Sequence, residues 1–222
     1  TATLGLSGGI DSALTLALVV KALGKDNVLP ILMPSQFSSE HSISDSLALC
    51  KNLGCDHHTI EIEKLYQTFD QQLKSLFNGT EFGIAEENIQ SRIRGTLLMA
   101  HTNKFGSILL NTSNKSELAV GYGTLYGDMA GGLSVIGDVY KTEVFELCRF
   151  INRKEEIIPE NIITKPPSAE LRPDQKDSDS LPDYTILDTI LFEYIENALS
   201  PNDIIEKGFE EATVRRILRM VN

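Results

Sequence analysis

The residues with most chemical content come early, in Ser7-Gly8-Gly9-Ile10-Asp11-Ser12, between the short apolar run Leu4–Leu6 and an apolar-periodic stretch. If the run is a strand and the stretch a helix, the helix aims its free N–H groups and positive dipole end at the loop. Two glycines let a ligand approach the backbone, and two hydroxyls add donors. Such a nest suits an anion, most often a phosphate. Asp11 repels an anion unless a cation stands between them, so it points to Mg²⁺ bridging carboxylate and phosphate. No lysine follows the glycines, so this is not G-x-x-x-x-G-K-[ST], nor is it G-x-G-x-x-G. A tight strand–helix turn capped by Ser7 is the competing reading.

The elements that must position this loop alternate along the chain. "TLGLS" reads as a strand, followed by a helix over Ile10–Leu23 that Gly24 closes. "NVLPILMP" is a buried strand stopped by Pro34. A helix over Glu40–Leu53 ends at Gly54, "HHTIEI" is a third strand, and helices are predicted over Lys64–Phe77 and Glu87–His101. "SILLNT" is a fourth strand. Short apolar strands alternating with helices predict an α/β fold, an open parallel sheet with helices on both faces. Ligands bind beyond the carboxyl ends of such strands, where Ser7–Ser12 lies. Further on, "GYGTLYGDMAGG" holds five glycines in twelve residues and reads as a loop built for close backbone approach. "KTEVFELCRFINR" is an amphipathic helix. "TKPPSAELRPDQKDSDSLPD" is rich in Pro, Asp and Ser, which predicts a mobile loop acting as a lid. Three helices follow, over Tyr184–Leu199, Pro201–Gly208 and Glu210–Val221. No repeat or domain boundary is visible, so residues 1–222 read as a single domain.

Composition narrows the function. A chain of 222 residues with 41% hydrophobic content builds a sizeable core. Its net charge of −11 argues against nucleic acid as a partner, and no apolar run is long enough to span a membrane. Cys50, Cys55 and Cys148 are odd in number and lack C-x-x-C spacing, which predicts free thiols in a reducing cytoplasm. His41, His57, His58 and His101 are scattered, and a packed or solvated role outweighs metal binding for each. The chain begins at Thr1 without a methionine and is read as a piece of a longer protein.

Ser-Gly-Gly-x-Asp-Ser after a first strand resembles the loop of the ATP pyrophosphatases, a group that includes NAD synthetase, GMP synthetase and asparagine synthetase. "EENIQSRIRG" (Glu86–Gly95), "NTSNKSELAVGYGTLYGD" (Asn111–Asp128) and "KPPSAELRPDQKDSDSLPDY" (Lys165–Tyr184) resemble NAD synthetase, most closely the synthetase domain of the glutamine-dependent type. The resemblance runs nearly the whole chain. It implies an adenine nucleotide alpha hydrolase-like, Rossmann-like three-layer fold. It also implies a ligase that adenylates the nicotinate carboxylate of deamido-NAD with ATP, releases pyrophosphate, and lets ammonia displace AMP to form NAD. Such chemistry rests on positioning and charge neutralisation and needs no covalent nucleophile.

The resemblance also implies roles for residues. Ser7, Gly8, Gly9, Asp11 and Ser12 bind ATP phosphates, and Thr112, Lys141 and Ser168 match further ATP-binding positions. Asp11 and Glu117 match Mg²⁺ ligands, with Glu117 also a substrate contact. Asn88 and Arg92 match deamido-NAD contacts, as does the stretch Tyr122, Gly123, Thr124 and Leu125. Asp11, Glu117 and Lys141 form the implied catalytic set. The implied partners are ATP, deamido-NAD, ammonia or glutamine, a glutaminase domain in the same longer chain, and a homo-oligomer formed through the helix near Glu87–His101. Taken alone, several of these residues read otherwise. Arg92 and Arg94 suit a solvated helix face, Lys141 a helix start on the surface, and Glu117 the first turn of a helix capped near Ser113. Asp128 suits a loop turn. Two departures from the family's pattern matter. Leu125 and Gly132 stand where ammonia-dependent members carry a lysine and an aspartate, which favours the glutamine-dependent type. The family's basic C-terminal stretch, which helps to bind deamido-NAD, is not among residues 1–222, which implies poor substrate binding by these residues alone. The competing functions are another adenylating amidotransferase, GMP synthetase-like, and a non-catalytic ATP sensor. Carboxylates gathered for Mg²⁺ argue against the sensor.

Overall fold

The computed structural model describes residues 1–222. Five parallel strands form one sheet in the order β3-β2-β1-β4-β5: β1 Ala2–Gly5, β2 Val28–Leu32, β3 His58–Thr59, β4 Ile108–Asn111 and β5 Leu133–Ser134. Period-two alternation sorts their side chains between two faces. Ala2, Leu4, Val28, Leu32 and Leu110 point to one face and pack with α1 (Ile10–Leu23), α2 (Glu40–Leu53), α6 (Lys141–Ile151) and α7 (Glu160–Thr164). Ile31, Met33 and Leu109 point to the other and pack with α3 (Glu63–Leu73) and α4 (Ile84–Phe105). Both faces are covered, as the apolar strands require.

Chain order reverses between β1 and β4. The path runs outward through β2 and β3, then returns to the other side for β4 and β5. The carboxyl ends of β1 and β4 therefore flank the switch point, where Ser7–Ser12 and Asn111–Asn114 leave the sheet.

Several boundaries differ from the sequence-based expectation. The third strand shrinks to His58–Thr59. Ile60 and Ile62 still donate backbone N–H groups to Leu32 and Pro34, but Pro34 has no N–H to return, and the ladder ends there. Helix α4 starts earlier because the Glu86 carboxylate accepts the Gly83 N–H at 2.8 Å, and it runs on until Gly106 takes a left-handed conformation. The glycine-rich loop leads into a fifth strand, unforeseen because two residues carry no periodicity.

The C-terminal helices α8 (Tyr184–Ile195), α9 (Pro201–Glu206) and α10 (Glu211–Val221) form a separate cluster. Leu187, Ile190, Leu191, Ile204, Val214 and Ile217 are its centre, and it packs onto Val120 and Tyr140. Among the helices, none is long and apolar enough to cross a membrane.

The proline- and aspartate-rich segment also departs from expectation. It is docked, with Leu171, Asp177 and Leu181 buried. Glu170 bonds to Ser42 of α2, and Arg172 and Gln175 bond to Glu87 of α4, partners that composition cannot reveal.

Candidate active site

The floor of the site is the Ser7–Ser12 loop. Ser7 Oγ accepts the Gly9 N–H at 3.1 Å, while Ser12 Oγ accepts the Ser7 N–H at 3.3 Å and donates to the Gly9 carbonyl at 3.0 Å. The N-cap of α1 is Gly9, with no side-chain cap, so Ser7 does not cap the helix. The first turn of a fourteen-residue helix thus keeps its N–H groups for a ligand, and Gly9, Ile10, Asp11 and Ser12 line the cleft above it.

Gly8 has another task. Its φ is +82°, and a Cβ there would lie 2.4 Å from the Ser42 carbonyl oxygen. Gly8 does not line the cleft. It lets the first turn of α2 press against the loop from behind, so the lack of a side chain at Gly8 serves packing.

Across the switch point, Asn114 is the N-cap of the short helix α5 (Lys115–Ala119), not Ser113. Asn114 Oδ1 accepts the Glu117 N–H at 3.0 Å, and Asn114 Nδ2 donates to Asp11 Oδ1 at 2.8 Å. One amide therefore orients the Asp11 carboxylate and fixes the backbone that carries Glu117. The two then meet on Lys141, whose Nζ lies 2.5 Å from Asp11 Oδ2 and 3.2 Å from Glu117 Oε1. Lys141 is 2% exposed, so the surface reading is wrong. Its backbone N–H donates to Ser116 Oγ at 2.8 Å, and Ser116 Oγ donates in turn to the buried Asp188 of α8. Asp188 also accepts the Thr142 N–H at 2.8 Å, so the C-terminal helices hold the start of α6 in place.

Burial raises the Glu117 carboxyl pKa to about 7, with the nearby Asp11 charge adding to it and the Lys141 ammonium opposing it. Burial would lower the Lys141 ammonium, but Asp11 and then Glu117 reverse that, so its pKa is raised. The Tyr184 ring lies 5.2 Å from Lys141 Nζ, and its hydroxyl donates to Asp177 at 2.9 Å. Asp177, 5% exposed, also accepts from Tyr122 at 3.3 Å.

The cleft has a volume of about 280 Å³. It gathers Ser7, Gly9, Asp11, Ser12, Thr112, Glu117, Tyr122, Lys141 and Ser168 from the expected set. Ser168 reaches it with its hydroxyl already committed, donating to the Gln175 carbonyl at 2.6 Å and accepting the Glu170 N–H at 3.1 Å. Asn88, Arg92, Gly123, Thr124 and Leu125 do not line it. They form a rim of their own: Thr124 Oγ1 donates to Asn88 Oδ1 at 2.7 Å, and Arg92 Nε donates to the Leu125 carbonyl at 3.2 Å. Asp128 folds this loop by accepting the Thr124 N–H at 2.6 Å, and it also faces the cleft.

Sequence reasoning missed Arg94, Asp177 and Asp188. Arg94 lines the cleft and donates to the Met33 carbonyl at 3.0 Å. Burial lowers its pKa to about 10, with Glu170 and Asp128 opposing the shift. Its neighbour Arg92 is exposed, and only the helix phase relative to the sheet separates the two. Asp177 sat in a segment whose composition reads as solvated. Asp188, in an apolar helix pattern, was the one available signal: an acid on a buried stripe needs a partner.

An open parallel sheet with an uncapped helix start, two carboxylates and a buried lysine at its switch point defines an α/β protein of the doubly wound class, whose members carry their ligands at that place. Residues 1–222 match the family described as NAD synthase, and the chain belongs to that family. It is 61% identical over 220 residues to a glutamine-dependent NAD(+) synthetase of Synechocystis, covering 99% of this chain and 39% of that protein. Among solved structures, it is similar to a glutamine-dependent NAD+ synthetase from Acinetobacter baumannii in complex with ADP. The TM-score is 0.73 at 45% identity, covering 99% of this chain and 40% of that one. It is also similar to an NMN synthetase from Francisella tularensis, with a TM-score of 0.83 at 28% identity, covering 100% and 83%. The chain thus spans about two fifths of the length of the glutamine-dependent relatives it matches.

Proposed function

We propose that this chain is the synthetase domain, residues 1–222, of an enzyme that amidates deamido-NAD to NAD with ATP. The observation that carries the reading is the convergence of Asp11, Glu117 and Lys141 on one point above an uncapped helix start. The nicotinate carboxylate attacks the α-phosphorus of ATP, the bond to the β-phosphate oxygen breaks, and pyrophosphate leaves. Ammonia then attacks the acyl carbon of the adenylate, the bond to the AMP oxygen breaks, and the amine loses a proton as the amide forms. The N–H groups at the start of α1, with Ser7, Gly9, Ser12 and Thr112, hold the phosphates. Lys141 offsets charge on the transferring phosphoryl group and orients Asp11.

The Asp11 and Glu117 carboxylates, brought together on the Lys141 ammonium, are a hard-oxygen donor pair of the kind that fits Mg²⁺. Asp11 and Glu117 would hold the ion, which would supply charge neutralisation at the phosphates. Tyr122 at the cleft and the rim of Asn88, Arg92, Gly123, Thr124 and Leu125 receive deamido-NAD. A glutaminase domain in the longer chain supplies ammonia from glutamine. Exposed Ile84, Met99 and Phe105 on α4 suit contact with a second copy. Three free, buried cysteines suit a reducing cytoplasm.

The test supplies the full-length protein with ATP, Mg²⁺, deamido-NAD and ammonia, and measures pyrophosphate, AMP and NAD. Equimolar release of all three is expected, and ATP hydrolysis without NAD would refute the amidation. The similarity to an NMN synthetase favours one alternative, a mononucleotide substrate, and a parallel assay with deamido-NMN decides between them.

A further inference from the structure

Residues 165–183 cross the mouth of the cleft as a strap between α2 and α4. On the α4 side three side chains share the anchoring. Gln90 Nε2 donates to the Leu171 carbonyl at 2.8 Å, while Arg172 and Gln175 reach the Glu87 carboxylate at 3.2 and 3.3 Å. On the α2 side Glu170 bears most of it. Its carboxylate accepts the Ser39 N–H at 3.1 Å, the Ser39 hydroxyl at 2.9 Å and the Ser42 hydroxyl at 2.7 Å. Lys165 Nζ adds one bond to Ser42 Oγ at 2.9 Å.

Two features mark Glu170 as built for this. Its φ is +49°, a left-handed conformation that a non-glycine residue holds only when its surroundings impose it. Its backbone N–H donates to Ser168 Oγ, so the residue that grips α2 also sets Ser168 at the cleft. Ser42 in turn lies against Gly8, behind the floor loop. A line of contact therefore runs from the floor through Ser42 and Glu170 to the strap.

We propose that Glu170 is a positioning residue, the latch that fixes the strap across the cleft and so keeps water from the acyl-adenylate. This rests on the amidation reading. In the competing reaction a water oxygen bonds to the acyl carbon and the bond to the AMP oxygen breaks. Deamido-NAD is regenerated and AMP and protons are released, so ATP is consumed without NAD. A latch that excludes water suppresses this loss.

The experiment uses the full-length protein and compares wild type with Glu170→Ala, Glu170→Gln and Glu170→Asp, with the exposed Arg215→Ala as control. Two quantities are read: AMP formed per NAD, and the rate of tryptic cleavage at Lys176 without ligands. Glu170→Ala is expected to raise AMP per NAD at least about threefold and to speed cleavage about tenfold. Glu170→Asp, too short to reach both serines, should behave like the alanine variant. Glu170→Gln, which keeps the acceptors and loses the charge, should fall between. A structural role alone would speed cleavage and leave AMP per NAD unchanged. That result, in a Glu170→Ala protein with a wild-type melting temperature, overturns the proposal. If Glu170→Ala does not fold, Glu170→Gln decides by the same ratio. If wild type makes no NAD, the amidation reading falls, and equal cleavage rates across the variants would still overturn the latch.

Discussion

The floor of the cleft and the strap above it are held in different ways. The floor loop follows β1 directly, and its bonds link Ser7, Gly9 and Ser12 within a few residues of one another. The strap has no strand and only one short 3₁₀ turn, and bonds that span more than a hundred residues, such as Glu170 to Ser39, hold its α2 side. Local backbone geometry shapes the proposed anion site before any ligand arrives. Long-range side-chain bonds build a cover whose loss leaves the sheet intact. Damage to the floor should therefore cost folding and chemistry together, whereas damage to the strap should cost coupling.

The sharpest way to break this contrast lies at Lys141, the buried cation of α6 that reaches the floor at Asp11. Lys141→Met leaves Asp11 and Glu117 without their partner, and removing one member of a buried ion pair costs about 3–5 kcal/mol. Urea unfolding should show that loss, with amidation abolished. Stability within about 1 kcal/mol of wild type would mean the cluster is not structural.

Asp11→Asn keeps the shape and removes one charge. Adenylation should fall at least about a hundredfold, the usual scale for a charge-stabilising group. Because Asp11 bonds to buried Lys141, stability should fall too, more than for an isolated loop carboxylate. Pyrophosphate release at limiting Mg²⁺ and a thermal melt check both.

Gly8→Val separates packing from ligand contact. A side chain there meets the Ser42 backbone and forces a φ that valine disfavours. A stability loss of about 2–4 kcal/mol is expected, from overpacking plus backbone strain. If ATP affinity, measured by calorimetry, fell with no change in unfolding midpoint, the glycine would face the ligand after all.

The pH dependence of stability gives a subtler test. The Glu117 pKa is raised to about 7, so between pH 4.5 and 7 the folded protein binds more protons at this site than the unfolded chain does. Stability from this group is therefore present below about pH 4.5 and lost as pH rises through 7. Glu117→Gln should remove that fall, changing the slope by about one proton. Parallel slopes in wild type and variant would show that Glu117 titrates normally.

The smallest effect belongs to a glycine away from the cleft. Gly24 follows α1 with φ +84°, and nothing but Asn27 lies near its missing Cβ, at 3.9 Å. Gly24→Ala should cost about 1 kcal/mol with ATP affinity unchanged. It is the far-side control for Gly8.

Much of this arrangement was written in local pattern. Apolar runs bounded by glycine and proline placed β1, β2, β4, α1 and α2 correctly, because burying both faces of a parallel sheet demands such runs. The spacing of Ser7–Ser12 announced an anion nest because strand, glycine turn and helix start are consecutive in the chain. Tertiary structure decided the rest. It turned Gly8 toward α2, brought Lys141 between Asp11 and Glu117 from 130 and 24 residues away, and tied residues 165–183 to α2 and α4. It also set Arg94 in the cleft and left Arg92 outside it. Periodicity and turn chemistry act over a few residues, so the sequence by itself determined the elements and the floor loop. Ion pairs and carboxylate latches act between residues that only the packed sheet makes neighbours, and their partners had to be read from the fold.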